Sequence, residues 1–328
     1  MHSAASELAP GPGDPLGGAV AGDPEVAARS PLQLFWRRFR RDRVATVALA
    51  FIALLVVVAV AAPLIVSIAG TPGPNAQDAS ALDSFTGTPT GPSRAHPLGV
   101  DPNGEDVFAR VLYGARVSLE VAILATLLSV AIGVAIGLLA GFYRGWVDGV
   151  LSRLVDVMLA FPILLLALGI ASACSLGNGC LGGAIKPGLG VVILVIVVVN
   201  WTTIARIVRG QVLSLREQEF VEAARSLGAS DRRIVVRDIL PNLAAPIIVY
   251  GTLLVPQNIL LEAALSFLGV GVQPPTASWG AMISDAITAF PSAWWYILFP
   301  GLALLCTVLA FNLLGDGLQD ALDPRAAA

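Results

Sequence analysis

The sequence predicts an all-α integral membrane protein with six transmembrane helices. Three observations lead there. Hydrophobic residues make up 56% of the 328 and charged residues only 13%, where a soluble domain carries about a quarter charged. The apolar residues gather into six runs long enough to cross a hydrocarbon core, which takes about 20 residues of helix. The basic residues fall unevenly among the segments joining those runs, as expected when arginine and lysine stay on the cytoplasmic side.

Residues 1–43 form an N-terminal tail. Its first part, to about residue 30, is rich in Ala, Gly, Pro and Asp without periodicity and reads as disordered. Arg37, Arg38, Arg40, Arg41 and Arg43 close it. No apolar core follows a short basic start, so it does not read as a signal peptide. Residues 44–68 carry no charge and form the first span. Residues 69–112, rich in Gly, Pro, Asp, Asn and Ser, read as an external loop with little regular structure. A five-helix core fills 113–315, its spans centred on 121–141, 157–173, 188–205, 243–273 and 293–315. A polar segment at 209–242 separates the fourth span from the fifth, and 316–328 is a C-terminal tail.

With the N-terminus in the cytoplasm, sixteen of the twenty basic residues lie inside, leaving Arg94, Arg110, Arg116 and Lys186 outside. The positive-inside rule therefore puts both termini in the cytoplasm. Gly133, Gly137 and Gly141 recur every four residues in the second span, the pattern that lets two helix backbones approach in lipid; a pore-lining role is the alternative. Pro162, Pro246, Pro256 and Pro300 predict kinks or broken turns in spans three, five and six.

Several residues invite a functional reading beside a plainer one. Glu262 stands in an apolar run, where an unpaired acid costs about 2.5–3.5 kcal/mol at a helix centre. It is either a pathway or gate residue or a group satisfied by a neighbouring helix. Asn200, Trp201 and Thr202, with Thr203, make a polar notch that could line a passage or bond between helices. Asp156 reads as interfacial. Cys174 and Cys180 lie in one external loop and can form a disulfide in an oxidising exterior. His96 can make structural hydrogen bonds or bind metal, and no metal-ligand set accompanies it. No catalytic constellation is found. The only lysine, Lys186, precedes a proline, so a phosphate-binding loop with its lysine beside Ser or Thr is missing. If ATP drives this protein, another polypeptide binds it.

The segment at 209–242 is the most informative. From about Leu215 to Leu227 it forms one helix with Phe220, Ala223, Ala224 and Leu227 on one side. Gly228 sits where a helix C-terminus takes a left-handed residue. Ser230 or Asp231 can cap a second helix, with Ile234, Val235 and Ile239 as its apolar residues and Pro241 ending it. Two short helices at an angle would present a knob to a partner. A DNA-binding helix-turn-helix is disfavoured by the spans on both sides; a helix lying on headgroups is the other plain reading.

Glu222-Ala223-Ala224, Gly228 and Leu240-Pro241 resemble the EAA loop of permease subunits in binding-protein-dependent ABC importers. His96 to Asp101, Gly104 to Asp106, Leu112 to Leu119, Gly145 to Asp148, Leu159 to Pro162, Leu265 to Gly269, Pro274-Pro275 with Ser278-Trp279-Gly280, and Gly315 to Pro324 resemble the second, C-type permease of dipeptide, oligopeptide and nickel importers. The resemblance implies the transmembrane domain of a type I ABC importer in a bacterial plasma membrane. It assigns ATPase coupling to Glu222, Ala223, Ala224, Gly228, Leu240 and Pro241. It implies four kinds of partner: a homologous permease subunit, two ATPase subunits holding ATP and Mg, an extracytoplasmic binding protein and membrane lipid, but no nucleic acid. This chain itself would bind no cofactor and catalyse nothing. Peptides are the cargo it favours, with nickel chelates or haem as alternatives. An ion-gradient carrier is the rival class; inverted repeats and paired intramembrane charges, its usual marks, are not evident.

Overall fold

The computed structural model describes residues 31–175 and 179–322. The tail expected over residues 1–30 lies outside the described residues, as do residues 323–328. The helices are α1 (Pro31–Arg41), α2 (Arg43–Val60), α3 (Ala62–Ala69), α4 (Val107–Phe142), α5 (Trp146–Ala160), α6 (Ile163–Ser175), α7 (Leu189–Leu215), α8 (Glu219–Ser226), the single turn α9 (Asp231–Arg233), α10 (Leu240–Phe267), α11 (Trp279–Ala289) and α12 (Trp294–Leu322). A π-helical stretch, Ile234–Ile239, joins α9 to α10.

Five helical segments are long and apolar enough to cross a bilayer, and α5 with α6 makes a sixth, bent by 90°. The bend falls at Pro162, where a kink or broken turn is expected in the third span. Pro162 offers no N–H and drives Phe161 to extended backbone (φ −85°, ψ 138°), which stops α5. The pair still makes one traverse, because α4 and α7 run parallel and the chain between them must return. Their register is fixed by three glycines. A Cβ at Gly133 would lie 2.7 Å from Ile204 Cβ, one at Gly137 2.7 Å from the Ala205 carbonyl oxygen, and one at Gly141 2.7 Å from Val212 Cβ. The four-residue glycine spacing thus lets two backbones touch along three turns.

Other boundaries differ from expectation for local reasons. The basic cluster closing the expected tail is helical: α1 carries Arg37 to Arg41, Arg43 opens α2, and Asp42 Oδ1 accepts from the amides of Val44 and Ala45 to start it. The first span pauses at Ala61, ahead of Pro63, and resumes as α3. The long loop ends at Asp106, whose carboxylate accepts from the Ala109 amide. α4 therefore begins before residue 112. Pro246, Pro256 and Pro300 lie inside continuous helices, and only Pro162 marks a break. α12 continues to Leu322, past the expected start of the tail at 316. Among the described residues α11 has no counterpart in the expected layout.

Antiparallel to α4 and α7, α10 returns through the centre, and α12 with α2 closes one side. The loop before α4 is ordered. His96 Nδ1 lies 2.8 Å from Asp106 Oδ2, with Nε2 3.5 Å from Asp78 Oδ2. Both ring nitrogens thus face carboxylates of the loop. Arg110 pairs with Glu105, lies 3.7 Å from Asp101 and donates to the Pro74 carbonyl. Burial raises the Glu105 carboxyl above its ordinary value against the pull of Arg110. Trp295 Nε1 donates to the Val100 carbonyl and Trp279 Nε1 to the Val111 carbonyl, each at 3.0 Å. The loop, α11 and the start of α12 therefore form one cap on this end of the bundle. Cys174 and Cys180 are joined by a disulfide in the next loop of the same end, their Cα atoms 4.8 Å apart.

Candidate functional site: the knob and the helix behind it

At the opposite end, α7 closes at Leu215. Arg144 Nη2 reaches Glu217 Oε1 at 2.6 Å, and Arg216 donates to the Phe142 carbonyl, so the turn that follows is tied to the end of α4. α8 then begins with Glu219 and Glu222 in its first turn, where the helix dipole favours negative charge. It ends in a left-handed residue: Gly228 has φ +78°. The Ala229 amide bonds the Ala224 carbonyl at 3.0 Å and the Gly228 amide the Arg225 carbonyl at 2.9 Å, a helix stop that glycine accepts without strain.

The residue that seats α8 is Val221, which sequence reasoning did not single out. It is wholly buried with Val212, Ile234, Ile239, Leu243 and Phe142. Its signal was an apolar residue out of phase with the expected face. Phe220 (43% exposed) and Leu227 (88%) point outward, and Glu222, Ala223 and Gly228 are also exposed, with Ala224 half-buried. The helix is thus anchored on one side by Val221 and carries an exposed apolar tip on the other.

Pro241 does not end the second helix. The segment from Asp231 to Phe267 is helical over 37 residues. The proline stands in the first turn of α10 and the wider π turn precedes it. A proline ring clashes with the carbonyl four residues back in an α-helix, and the extra residue of the π turn shifts that carbonyl. Ser230 occupies the capping position without a side-chain cap bond. Leu240 is half-buried and Pro241 exposed. Ser230, Arg232, Arg233, Val236 and Arg237 surround a groove of about 470 Å³ beside the knob.

Deep in the bundle, the same helix carries polar residues four apart. Asn258 and Glu262 are fully buried and Ser266 nearly so. Asn258 Nδ2 donates to Thr126 Oγ1 (2.8 Å) and its Oδ1 accepts from Asn200 Nδ2 (2.5 Å), joining α10 to α4 and α7. Glu262 accepts from Ser118 Oγ (3.0 Å) and Ser266 Oγ (2.7 Å). Neither Asn200 nor Glu262 opens onto a channel in this conformation. Thr202 bonds the Val199 carbonyl, and Trp201 packs with Val155 and Ala205; of the polar notch only Thr203 is exposed. Asn258 and Thr126 were missed, although the spacing Asn258, Glu262, Ser266 was available as a signal. Asp156 pairs with Arg206 at 3.0 Å in an exposed position. Among the described residues no group of three or more His, Cys, Asp or Glu is placed to hold a metal.

Removing the Glu262 carboxylate leaves two buried hydroxyls without their acceptor, a cost of about 1–3 kcal/mol per group. Glu262→Ala is therefore expected to lower the thermal midpoint of the purified protein clearly, while Glu262→Gln, which keeps an acceptor, costs under about 1 kcal/mol. Equal midpoints for the two variants would show that these bonds do not hold the helices together.

Six traverses, a polar ladder within them and a projecting helical knob at one end define a multi-pass membrane transport subunit. Family models agree: residues 133–328 match "Binding-protein-dependent transport system inner membrane component" and residues 30–85 match "N-terminal TM domain of oligopeptide transport permease C". The chain belongs to this family of ABC importer permeases, as a C-type subunit of the peptide, oligopeptide and nickel group. It is 44% identical over 297 residues to the glutathione transport system permease protein GsiD of Shigella flexneri serotype 5b (strain 8401), covering 90% of this chain and 91% of the relative. Against the protein of that name in Escherichia coli O6:K15:H31 it is 43% identical over the same lengths. The inward-facing structure of the MetNI methionine ABC transporter shares the fold, with a TM-score of 0.55 at 18% identity over 66% of this chain and 97% of that one. As a permease subunit the chain is a non-catalytic part of a transporter that works with an ATPase and a binding protein.

Proposed function

We propose that this chain forms half of a peptide-importing pore, pairing with a second, homologous permease. Two cytoplasmic ATPase subunits grip the knob around Glu222 to Gly228, and an extracytoplasmic binding protein delivers cargo to the opposite end. Both termini are cytoplasmic in this reading, which rests on the sixteen-to-four division of basic residues. The observation that carries it is mechanical. The exposed knob adjoins a helical segment of 37 residues, Asp231 to Phe267, about 55 Å long at 1.5 Å per residue. Movement imposed at the knob is thereby delivered to Asn258 and Glu262, whose bonds hold α10 against α4 and α7. Closure of the ATPase pair would rock this helix and exchange those bonds, switching access between the two sides. The cargo is a short peptide; support comes from the oligopeptide permease domain and from relatives named as glutathione permeases.

Reconstitution in proteoliposomes tests this. With the partner permease, ATPases and binding protein present, ATP is expected to drive uptake of labelled glutathione or a dipeptide, and omission of the ATPases to stop it. Uptake energised by a proton or sodium gradient alone would remove the ABC reading, and ATP-driven uptake of a nickel chelate with no peptide uptake would remove the peptide reading.

A further inference from the structure

Between α2 and α12, on the outside of the bundle, runs an apolar groove of about 460 Å³. Val47, Ala48, Phe51, Cys306 and Leu309 line it, and Arg43 stands at its end. Val47 is 69% and Leu309 54% exposed on this chain, yet both lie on helices that cross the membrane. Something apolar therefore covers them. Immediately before Arg43, α1 packs Phe39 against the core and leaves Trp36, Arg37, Arg40 and Arg41 exposed. The Arg40 guanidinium lies over the Trp36 ring, 4.9 Å from its centroid. None of Arg37, Arg40, Arg41 and Arg43 forms an ion pair with a described residue. The nearest acid in the chain, Asp42, is engaged in capping α2.

We infer that this groove holds an acyl chain of an anionic phospholipid, with the phosphate seated on Arg43 and the arginines of α1 around it. Two occupants could cover the apolar walls: a lipid, or a transmembrane helix of another subunit. Charge decides between them. An apolar helix laid in the groove would leave Arg43 unpaired at the edge of the hydrocarbon, whereas a phospholipid satisfies the walls with its chain and the cation with its phosphate. An amphipathic basic helix with a tryptophan at the boundary is the surface that anionic headgroups attract. The groove adds what a basic patch alone lacks, a slot for one chain.

Native mass spectrometry of the purified transporter, exchanged with equal amounts of phosphatidylglycerol and phosphatidylethanolamine, tests this. Phosphatidylglycerol is expected to be retained preferentially. Arg43→Gln is expected to lower its retention about fivefold, the worth of roughly 1 kcal/mol per arginine at a charged surface; Arg40→Gln added to it lowers retention further. Val47→Trp, at an exposed position that spares the packing, fills the slot and displaces the lipid from a transporter that still assembles. Equal retention of the two lipids, or unchanged retention in Arg43→Gln, would overturn the assignment. A benzophenone maleimide on the free thiol of Cys306 separates the occupants: crosslinking to phospholipid supports the site, and crosslinking to another subunit overturns it.

Discussion

Gly228→Trp is expected to abolish ATP-driven uptake and to strip the ATPase subunits from the purified protein, while membrane insertion and yield stay near normal. The chain itself has room for the new side chain: a Cβ at Gly228 meets nothing within 4 Å. The internal cost is the left-handed backbone at φ +78°, about 1–2 kcal/mol for a residue with a Cβ, too little to unfold a protein of ordinary stability. The indole instead projects beside Leu227 on the exposed face of the knob, into the space that the proposed ATPase contact would fill. Gly228→Ala carries the same backbone strain without the bulk, so it is expected to keep most uptake. Co-purification of the ATPases with each variant and uptake in proteoliposomes are the measurements. Normal uptake by the tryptophan variant would show that this surface is not gripped.

The second large effect is expected at Gly137. Leucine there places its Cβ 2.7 Å from the Ala205 carbonyl oxygen and 2.8 Å from Val208 Cβ. The first of these is backbone and cannot swing aside, so the two helices must part. Overpacking of this kind costs about 1–3 kcal/mol, and in lipid the close contact is itself the main source of helix association. A fall in the melting midpoint of about 2–4 °C is expected, by the scaling of midpoint with stability. Gly149→Leu serves as the control, since nothing lies within 4 Å of a Cβ there. Similar midpoints for the two variants would mean that the glycines do not set the helix spacing.

Much of this arrangement was legible because the constraint was local or periodic. The uncharged runs mark the traverses, the glycines at 133, 137 and 141 mark a backbone contact, and Gly228 marks a left-handed stop. The features not legible depend on what a residue meets elsewhere in the fold. Pro162 breaks its span while Pro246 and Pro256 do not, because each outcome rests on how the surroundings satisfy the freed carbonyls. Pro241 is absorbed by a π turn, a backbone state that no residue preference announces. α11 was hidden inside a loop, though its parts were visible. Ser278 accepts from the Ala281 amide as its cap, and a Cβ at Gly280 would lie 2.4 Å from the Ala263 carbonyl oxygen. In the candidate site, a helix ahead of Gly228 and its left-handed stop were legible. Val221 and Asn258 were not, since their importance comes from partners far away in the chain.

The contact of α4 with α7 has a consequence for how the protein can move. Two parallel rods whose main chains touch through three glycines cannot slide or roll past each other without lifting apart, so they travel as one stiff beam. Any alternation between open sides must then be a displacement of α10 and α12 relative to that beam. The hydrogen-bonded rungs at Asn258 and Glu262 are the joints at which the change would first be felt.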